Sequence, residues 1–466
     1  MKADINLTGS GFRIFHDFAV IFVLALILRL VFWSLVAAHY PEQMLSPDSH
    51  DYNALAFNIL SGKGFLLDSN SPYYWYSILR TPVYPLFLAI VYSLTGGNYI
   101  WVGFFQGILS ALTSALTYLI GQRLFGRRTG LIAGMLSAFS LLSIIYSSKI
   151  LTEILFTILL VSSIWCIIKF WIRRSTRWLL VSAFLLGMAI LCRPVALYYT
   201  LFLATLLIFS SQENLLQGAK STVIFVCAVV LLVGSWVAHN WIVFSVPSLS
   251  GISSYNLVYF NAASLMSDTR GVDRDTAVKE LSDSVDERLK SMGIPNAKKA
   301  SWAQVLDAWQ YVGSKVILQS PGRYISLHLR QDMKSLSPGS DEIFDLLEHE
   351  KPQEHGTLQV LKDKGILAAF QHYHRESTWL ENVSRISTVL IWTTYALSLL
   401  GVAALVLKKQ LLLLIILAGT VAYYLLLPGA PSTPRFRVPV EPIIFLLAAK
   451  GTHIGNTKVL NSNGKH

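Results

Sequence analysis

The polar stretch Ser46-Pro47-Asp48-Ser49-His50-Asp51-Tyr52 follows directly on a long apolar run and sets two carboxylates where the chain leaves an apolar environment. A carboxylate so placed can take a proton from a hydroxyl as a general base, or share a divalent cation with a second acid. The ordinary alternative is a helix start, with Ser46 ahead, Pro47 early and Asp48 in the first turn, capping the helix and offsetting its dipole. Other charges fall at the same expected depth: Arg80 before Thr81-Pro82, Glu153 after Lys149 at the start of a span, Arg193 at a hinge, and Arg435 and Arg437 in the last outer loop. Burying a charge in lipid costs several kcal/mol, so such residues are expected to face a shared polar cavity. Arginine suits phosphate because its planar fork offers paired donors.

Other residues carry weaker signals. Glu153 could position a substrate, hold an arginine or the base in register, or join Asp48 on a divalent cation; its plain alternative is an ion pair with Lys149, four residues away on one helix face. Asp51 and Tyr52 stand beside Asp48, and helix capping explains Asp51 equally well. His50 reads as a surface histidine, as do His328, His349, His355, His372 and His374, which lack metal-ligand spacing on one face. Tyr73, Tyr74, Trp75 and Tyr76 could stack on sugar rings, but such aromatics also crowd membrane interfaces. Arg29, in the middle of the first span, is expected to meet a partner, a structural ion pair above all.

Composition sets the frame for these residues. Of 466 residues, 53% are hydrophobic and 14% charged, far from an ordinary soluble domain. The class expected is an all-α polytopic membrane protein. A spanning helix needs roughly 20 mostly apolar residues. Seven runs meet or approach that length: Phe18 to Ala38, Ile100 to Ile120, Gly130 to Tyr146, Ile150 to Phe170, Ser221 to Phe244, Ile386 to Leu407 and Leu411 to Leu427. Leu179 to Leu191 and Val195 to Phe209 read as short spans hinged at Arg193-Pro194, and Val438 to Ala449 as a short last span kinked by Pro439 and Pro442. The net charge of +11 is scattered over short loops beside apolar spans and does not describe a nucleic-acid face. Cys166, Cys192 and Cys227 all lie inside expected spans and imply neither disulfide nor metal.

Cytoplasmic loops keep Lys and Arg, so the clusters at 123–128, 169–177 and 408–409 and the basic tail are expected on one side. That requires Val83 to Thr95 to lie in or dip into the outer interface, and gives ten spans with both termini cytoplasmic in a plasma (inner) membrane. The chain then divides into an N-terminal membrane region, 1–244, with a first outer loop at 39–98, a mainly helical extracytoplasmic domain, 245–385, and a C-terminal membrane region with a cytoplasmic tail, 386–466. In the first loop, Tyr52, Leu55, Ala56, Ile59 and Leu60 recur at helical spacing, which predicts an amphipathic helix along the membrane surface, ended by Gly62 and Gly64.

The order Asp48-x-x-Asp51-Tyr52-x-x-x-Ala56, then Gly62-x-Gly64-Phe65, then Arg80-Thr81-Pro82-x-Tyr84-Pro85-Leu86 resembles the first outer loop of polyprenyl-phosphate-dependent glycosyltransferases of the GT-C fold. These are similar to protein O-mannosyltransferases, the lipid A aminoarabinose transferase and the RgtA/B/C/D-like glycosyltransferases. Lys149-Ile150-Leu151-Thr152-Glu153, Leu191-Cys192-Arg193-Pro194 and Pro434-Arg435-Phe436-Arg437-Val438-Pro439 continue the resemblance, while His239-Asn240 stands where Arg-Asn is more usual. The resemblance implies a GT-C-like bundle of about ten transmembrane helices with outer interfacial helices. It also implies a transferase that takes a sugar from a lipid-phosphate carrier to a hydroxyl acceptor of an envelope glycan, lipid or protein at the outer face, with inversion.

On that reading Asp48 is the base and Glu153 a second catalytic acid. Arg80, Asp51, Tyr52, Arg193, Arg435 and Arg437 bind substrate, and no cofactor is implied beyond the open alternative of a divalent cation. The leaving group is a phosphate, so no nucleotide-binding loop is needed, and none is seen. Two other classes share the apolar spans: a transporter or flippase for a lipid-linked glycan, which usually shows related halves that this sequence lacks, and a membrane scaffold whose outer domain binds a protein.

Overall fold

The computed structural model describes residues 7–66, 77–209, 215–295, 300–347, 365 and 378–453. Among them there is no strand, and the chain is an all-α membrane protein. The N-terminal region runs α1 (Leu7–His39), α2 (Pro47–Leu60), α3 (Val83–Thr95), α4 (Ile100–Phe125), α5 (Arg127–Ala138) and α6 (Leu141–Ser148). It continues with α7 (Glu153–Arg173), α8 (Thr176–Cys192), α9 (Tyr199–Phe209) and α10 (Leu215–Phe244). Among the described residues, α11 (Ile252–Asn256), α12 (Ala263–Arg270), α13 (Arg274–Ser291), α14 (Trp302–Gln319), α15 (Pro321–Asp332) and α16 (Glu342–Leu346) follow before the chain returns to the apolar bundle. Then come α17 (Trp379–Leu407), α18 (Leu411–Leu426), a 3-10 turn over Pro434–Val440, and α19 (Glu441–Gly451).

All ten expected spans are helical, but they are not ten equal spans. Among the described residues α1, α4, α7, α10 and α17 are long and apolar enough to cross a membrane, and α5 with α6 makes one more, bent by 48°. The rest are short. At 1.5 Å per residue the 17 residues of α8 reach about 25 Å and the 11 of α19 about 16 Å, against a hydrocarbon thickness of about 30 Å. Shortness is tolerated where protein replaces lipid: every residue of α19 is buried, so its ends need not meet an interface. Close packing against α17 makes this possible, since a Cβ on Gly401 would lie 1.9 Å from the Leu447 carbonyl oxygen and one on Gly451 2.0 Å from that of Leu397. The 13 residues of α3, about 20 Å, are too few to cross alone.

The break between α5 and α6 explains Arg29. It is fully buried, and its donors go to Ser110 Oγ (2.7 Å) and to the carbonyls of Ala25, Ser137 and Ala138 (3.1, 3.1 and 2.9 Å). The expected ion pair is therefore replaced by a cap on the last carbonyls of α5, which no continuing helix satisfies.

The two ends of the bundle differ in charge. Arg123, Arg127, Lys169, Arg173, Lys408 and Lys450 lie at or beside helix ends on one side. There Arg127 Nε bonds Asp17 Oδ2 at 2.6 Å and Lys450 Nζ sits 5.2 Å from the Phe125 ring centre. Over the other end, α11 to α14 build a core of their own from residues such as Val258, Leu281, Leu289, Trp302 and Trp309, which Ile78 and Leu79 join. That contact fixes the chain just ahead of Arg80.

Candidate active site

At the end of the bundle away from the basic clusters, five separate segments bring their charges together. α2 starts after Ser46, whose backbone N–H donates to Ser49 Oγ at 2.9 Å, and Ser49 Oγ donates to the Ile150 carbonyl at 2.7 Å. The first turn of α2 is thus pinned to the chain just before α7. Asp48 does not serve as a cap. Its carboxylate accepts from Arg80 Nη2 at 2.8 Å and from Arg435 Nη1 at 3.0 Å. Asp51, one turn on, accepts from Arg80 Nη2 and Nε at 2.6 and 3.1 Å. Tyr52 completes the Arg80 niche, with its hydroxyl oxygen 3.4 Å from Nη1 and its ring centre 4.8 Å from the guanidinium carbon.

Arg80 is held by its own neighbours too. Ser250 Oγ donates to the Leu79 carbonyl at 2.6 Å, and Thr81 Oγ1 donates to the Cys192 carbonyl at 3.2 Å, which ties this segment to the hinge at Arg193. Glu153 opens α7 with its side chain fully buried. Its Oε1 accepts from Arg193 Nη1 at 2.5 Å and from Arg435 Nε, while Oε2 has no hydrogen-bond partner among the described residues. The pairing of Glu153 with Lys149 does not occur: Lys149 turns to Glu342, 3.6 Å away, and its carbonyl accepts from the buried Gln106 at 2.7 Å.

Arg435 bridges Asp48 and Glu153, and it stands at the centre of the arrangement. Asp48, Asp51 and Glu153 balance Arg80, Arg193 and Arg435, three acids against three cations. Burial alone would raise the Asp48 carboxyl, but Arg80 and Arg435 outweigh it and hold it well below the usual carboxylate range. Asp51 goes the other way, because burial on the inner face of α2 outweighs its single arginine and Asp48 adds repulsion. Burial opposes the charge of Arg80 and Arg435 as well, yet their acidic neighbours raise both above the ordinary guanidinium value.

The pair considered for a divalent cation, Asp48 and Glu153, is joined by Arg435, so a metal between them would have to displace a guanidinium. Among the described residues no three His, Cys, Asp or Glu come together to hold one. The guanidinium that Asp48 and Glu153 already share opposes a cation between them.

Arg437 does not join this cluster. It is 1% exposed, and its donors go to Glu441 Oε1 (3.1 Å), Tyr395 Oη (2.8 Å) and the carbonyls of Ser335 (3.2 Å), Ser337 and Pro338 (2.8 Å). The Arg-x-Arg spacing misleads here because in a 3-10 turn two residues advance the direction by about 240°. His50 is exposed on α2, and His239 stacks on Trp236 with ring centres 4.4 Å apart. Asn240 beside it donates to the carbonyls of Ser248 and Leu249 and shapes the turn after α10. Tyr73, Tyr74, Trp75, Tyr76, His349, His355, His372 and His374 lie outside the described residues. Reasoning from the sequence also missed Gln106, whose only signal was a lone amide in an apolar run.

Comparison with known proteins adds a family and a set of structures. Residues 79–238 match the family described as dolichyl-phosphate-mannose-protein mannosyltransferase. No curated protein matches the chain. Among solved structures, the archaeal oligosaccharyltransferase AglB from Archaeoglobus fulgidus, in complex with an inhibitory peptide and a dolichol-phosphate, is 11% identical with a TM-score of 0.49, covering 94% of this chain and 50% of that one. ArnT from Cupriavidus metallidurans bound to undecaprenyl phosphate is 14% identical with a TM-score of 0.34, covering 93% and 77%. The chain spans about half the length of the oligosaccharyltransferases it matches. Over residues 79–238, this chain is similar to the family of dolichyl-phosphate-mannose-protein mannosyltransferases.

Proposed function

We propose that this chain is an integral membrane glycosyltransferase that moves a sugar from a polyprenyl-phosphate carrier to a hydroxyl acceptor on the outer face of the membrane, with inversion at the anomeric carbon. The observation that carries this reading is the Asp48–Arg435–Glu153 bridge with Arg80 alongside, at the bundle end opposite the basic clusters. Asp48 takes the acceptor hydroxyl's proton as the acceptor oxygen bonds the anomeric carbon. The bond from that carbon to the phosphate oxygen breaks, and the carrier leaves as a phosphate monoester. Arg80 and Arg435 receive the charge that grows on it, and Glu153 and Arg193 hold Arg435 in line. Residues 39–98 then form the catalytic loop and 245–385 the domain that selects the acceptor.

A carboxylate pulled well below its usual range is a weak base, and general-base catalysis works best with a pKa near the operating pH. The arrangement resolves this through the donor. A phosphate that takes up bonds from Arg80 and Arg435 draws them off Asp48, and the carboxyl rises toward its ordinary basicity once the donor is in place. An apolar cavity of about 630 Å³ between α5 and α17, lined by Leu131, Met135, Phe139, Ile386, Leu390 and Arg437, suits a prenyl chain rather than a sugar.

The test is sugar transfer from a synthetic polyprenyl-phosphate donor to an acceptor hydroxyl by purified protein in detergent, where a flippase has nothing to translocate. Transfer that needs Asp48 is expected. Binding of the donor with no transfer to any hydroxyl acceptor, water included, would count for the transporter instead.

A further inference from the structure

Arg435 sits at the start of the 3-10 turn over Pro434–Val440, directly after a segment with little structure of its own, Leu427-Pro428-Gly429-Ala430-Pro431-Ser432-Thr433, that leads from α18. Yet both flanks are gripped by one short stretch of the 252–347 region. Asp332, the last residue of α15, is 1% exposed, and its Oδ1 accepts from the Gly429 backbone N–H at 2.7 Å and from Ser432 Oγ at 3.1 Å. His328, one turn earlier, places Nε2 3.2 Å from Asp332 Oδ2 and 3.2 Å from the Leu426 carbonyl oxygen. Its ring packs on Gly429, which has a φ of 64°; a Cβ there would fall 2.4 Å from His328 Nδ1. On the far flank Arg437 donates to the carbonyls of Ser335, Ser337 and Pro338, just after Asp332. The chain is therefore fixed three residues before Arg435 and two after it, by residues 332–338.

We propose that Asp332 and Arg437 are positioning residues: they clamp the segment that carries Arg435 so that its guanidinium spans Asp48 and Glu153. This rests on the reading of Arg435 as a phosphate-binding group. Loose backbone costs free energy to order, and a group displaced by about 1 Å can lose roughly 100-fold in rate. The clamp meets that cost before substrate arrives.

The experiment compares Asp332→Ala with Asp332→Asn, which keeps an oxygen for the Gly429 N–H and the Ser432 hydroxyl. Asp332→Ala should lower kcat/KM for transfer from the polyprenyl-phosphate donor by roughly 10- to 100-fold, with most of the loss recovered in Asp332→Asn. In an Arg435→Lys background the penalty of Asp332→Ala should shrink, because the group it positions is already compromised. Hydrogen exchange over 427–437, measured without substrate, should rise in Asp332→Ala and stay near wild type in Asp332→Asn. An equal kinetic penalty in both backgrounds, a wild-type rate, or unchanged exchange overturns the clamp. Should Asp332→Ala fail to fold, Ser432→Ala removes one of its partners and carries the same comparison. A wild-type chain that transfers nothing defeats the glycosyltransferase reading, while the exchange measurement still decides the clamp.

Discussion

Replacing Asp48 with asparagine separates chemistry from architecture more cleanly than any other change in the site. The substitution keeps the side-chain volume and one oxygen but removes the charge and the basicity. Loss of general-base help is expected to cost about 10²- to 10⁴-fold in kcat, about 3–5 kcal/mol of activation free energy at 1.36 kcal/mol per tenfold. The structural cost is far smaller. Asp48 is 34% exposed, so each of its ion pairs is screened and contributes about 1 kcal/mol or less. Both arginines also keep their other anchors: Arg80 retains Asp51 at 2.6 Å, and Arg435 retains Glu153. The assay is single-turnover transfer of a labelled sugar from a polyprenyl-phosphate donor, read beside donor binding and thermal unfolding in detergent. Turnover should collapse with donor affinity and unfolding temperature little changed. An Asp48→Asn enzyme with a kcat within tenfold of wild type, or one whose loss merely tracks its unfolded fraction, would refute the assignment.

Three further outcomes follow from the same geometry. Glu153→Gln should damage both stability and rate, because it leaves Arg193 without its buried counter-charge and Arg435 with Asp48 alone, a loss of up to about 3–5 kcal/mol of the kind seen when one partner of a buried pair is removed; a melting temperature equal to wild type would argue against this. In pH profiles, kcat/KM reports the free enzyme, where Asp48 is already ionised through the ordinary carboxylate range, and kcat reports the complex, where the donor has drawn the arginines away. The acid limb of kcat should therefore lie at higher pH than that of kcat/KM, and coincident limbs would sink the idea. The depressed Asp48 value also means that its contribution to stability is fully present above 3.8 and lost only as pH falls below that, whereas raised Asp51 contributes stability that fades as pH climbs from 3.8 through its folded value. Arg29→Ala should cost about 1–3 kcal/mol by leaving the buried Ala138 carbonyl without its donor and the Ser137 carbonyl with only the Ser140 N–H at 3.5 Å; denaturation of that variant should show the loss, with activity per folded molecule retained.

Much of the site was legible because charges at a membrane boundary are rare, so their positions along the chain carry information. Asp48, Arg80, Glu153, Arg193 and Arg435 could be grouped by depth alone, and the structure brings those five together. Depth does not give direction, and there the reading failed. Arg437 shares the depth of Arg435 but points to the carbonyls of 335–338. Glu153 has Lys149 four residues away, yet the chain turns non-helical between them, so the i, i+4 rule does not apply. The bend between α5 and α6, inside the expected span Gly130 to Tyr146, was missed for a related reason: hydropathy records what a helix avoids, water, and not how its axis runs. Nothing local distinguishes His328 or Asp332, since their roles arise from a contact about a hundred residues away in sequence.

Three acids matched by three guanidinium groups leave the resting cluster with no net charge, and on the proposed chemistry that neutrality makes the reaction drive its own clearance. A phosphodiester donor brings one negative charge. Bond cleavage turns it into a monoester with up to two, while Asp48 holds the acceptor's proton. When that proton escapes to water, the restored Asp48 carboxylate and the phosphate dianion face one another and repel. The spent carrier is then expelled by electrostatics built up during its own turnover, and release should quicken as the medium becomes more alkaline.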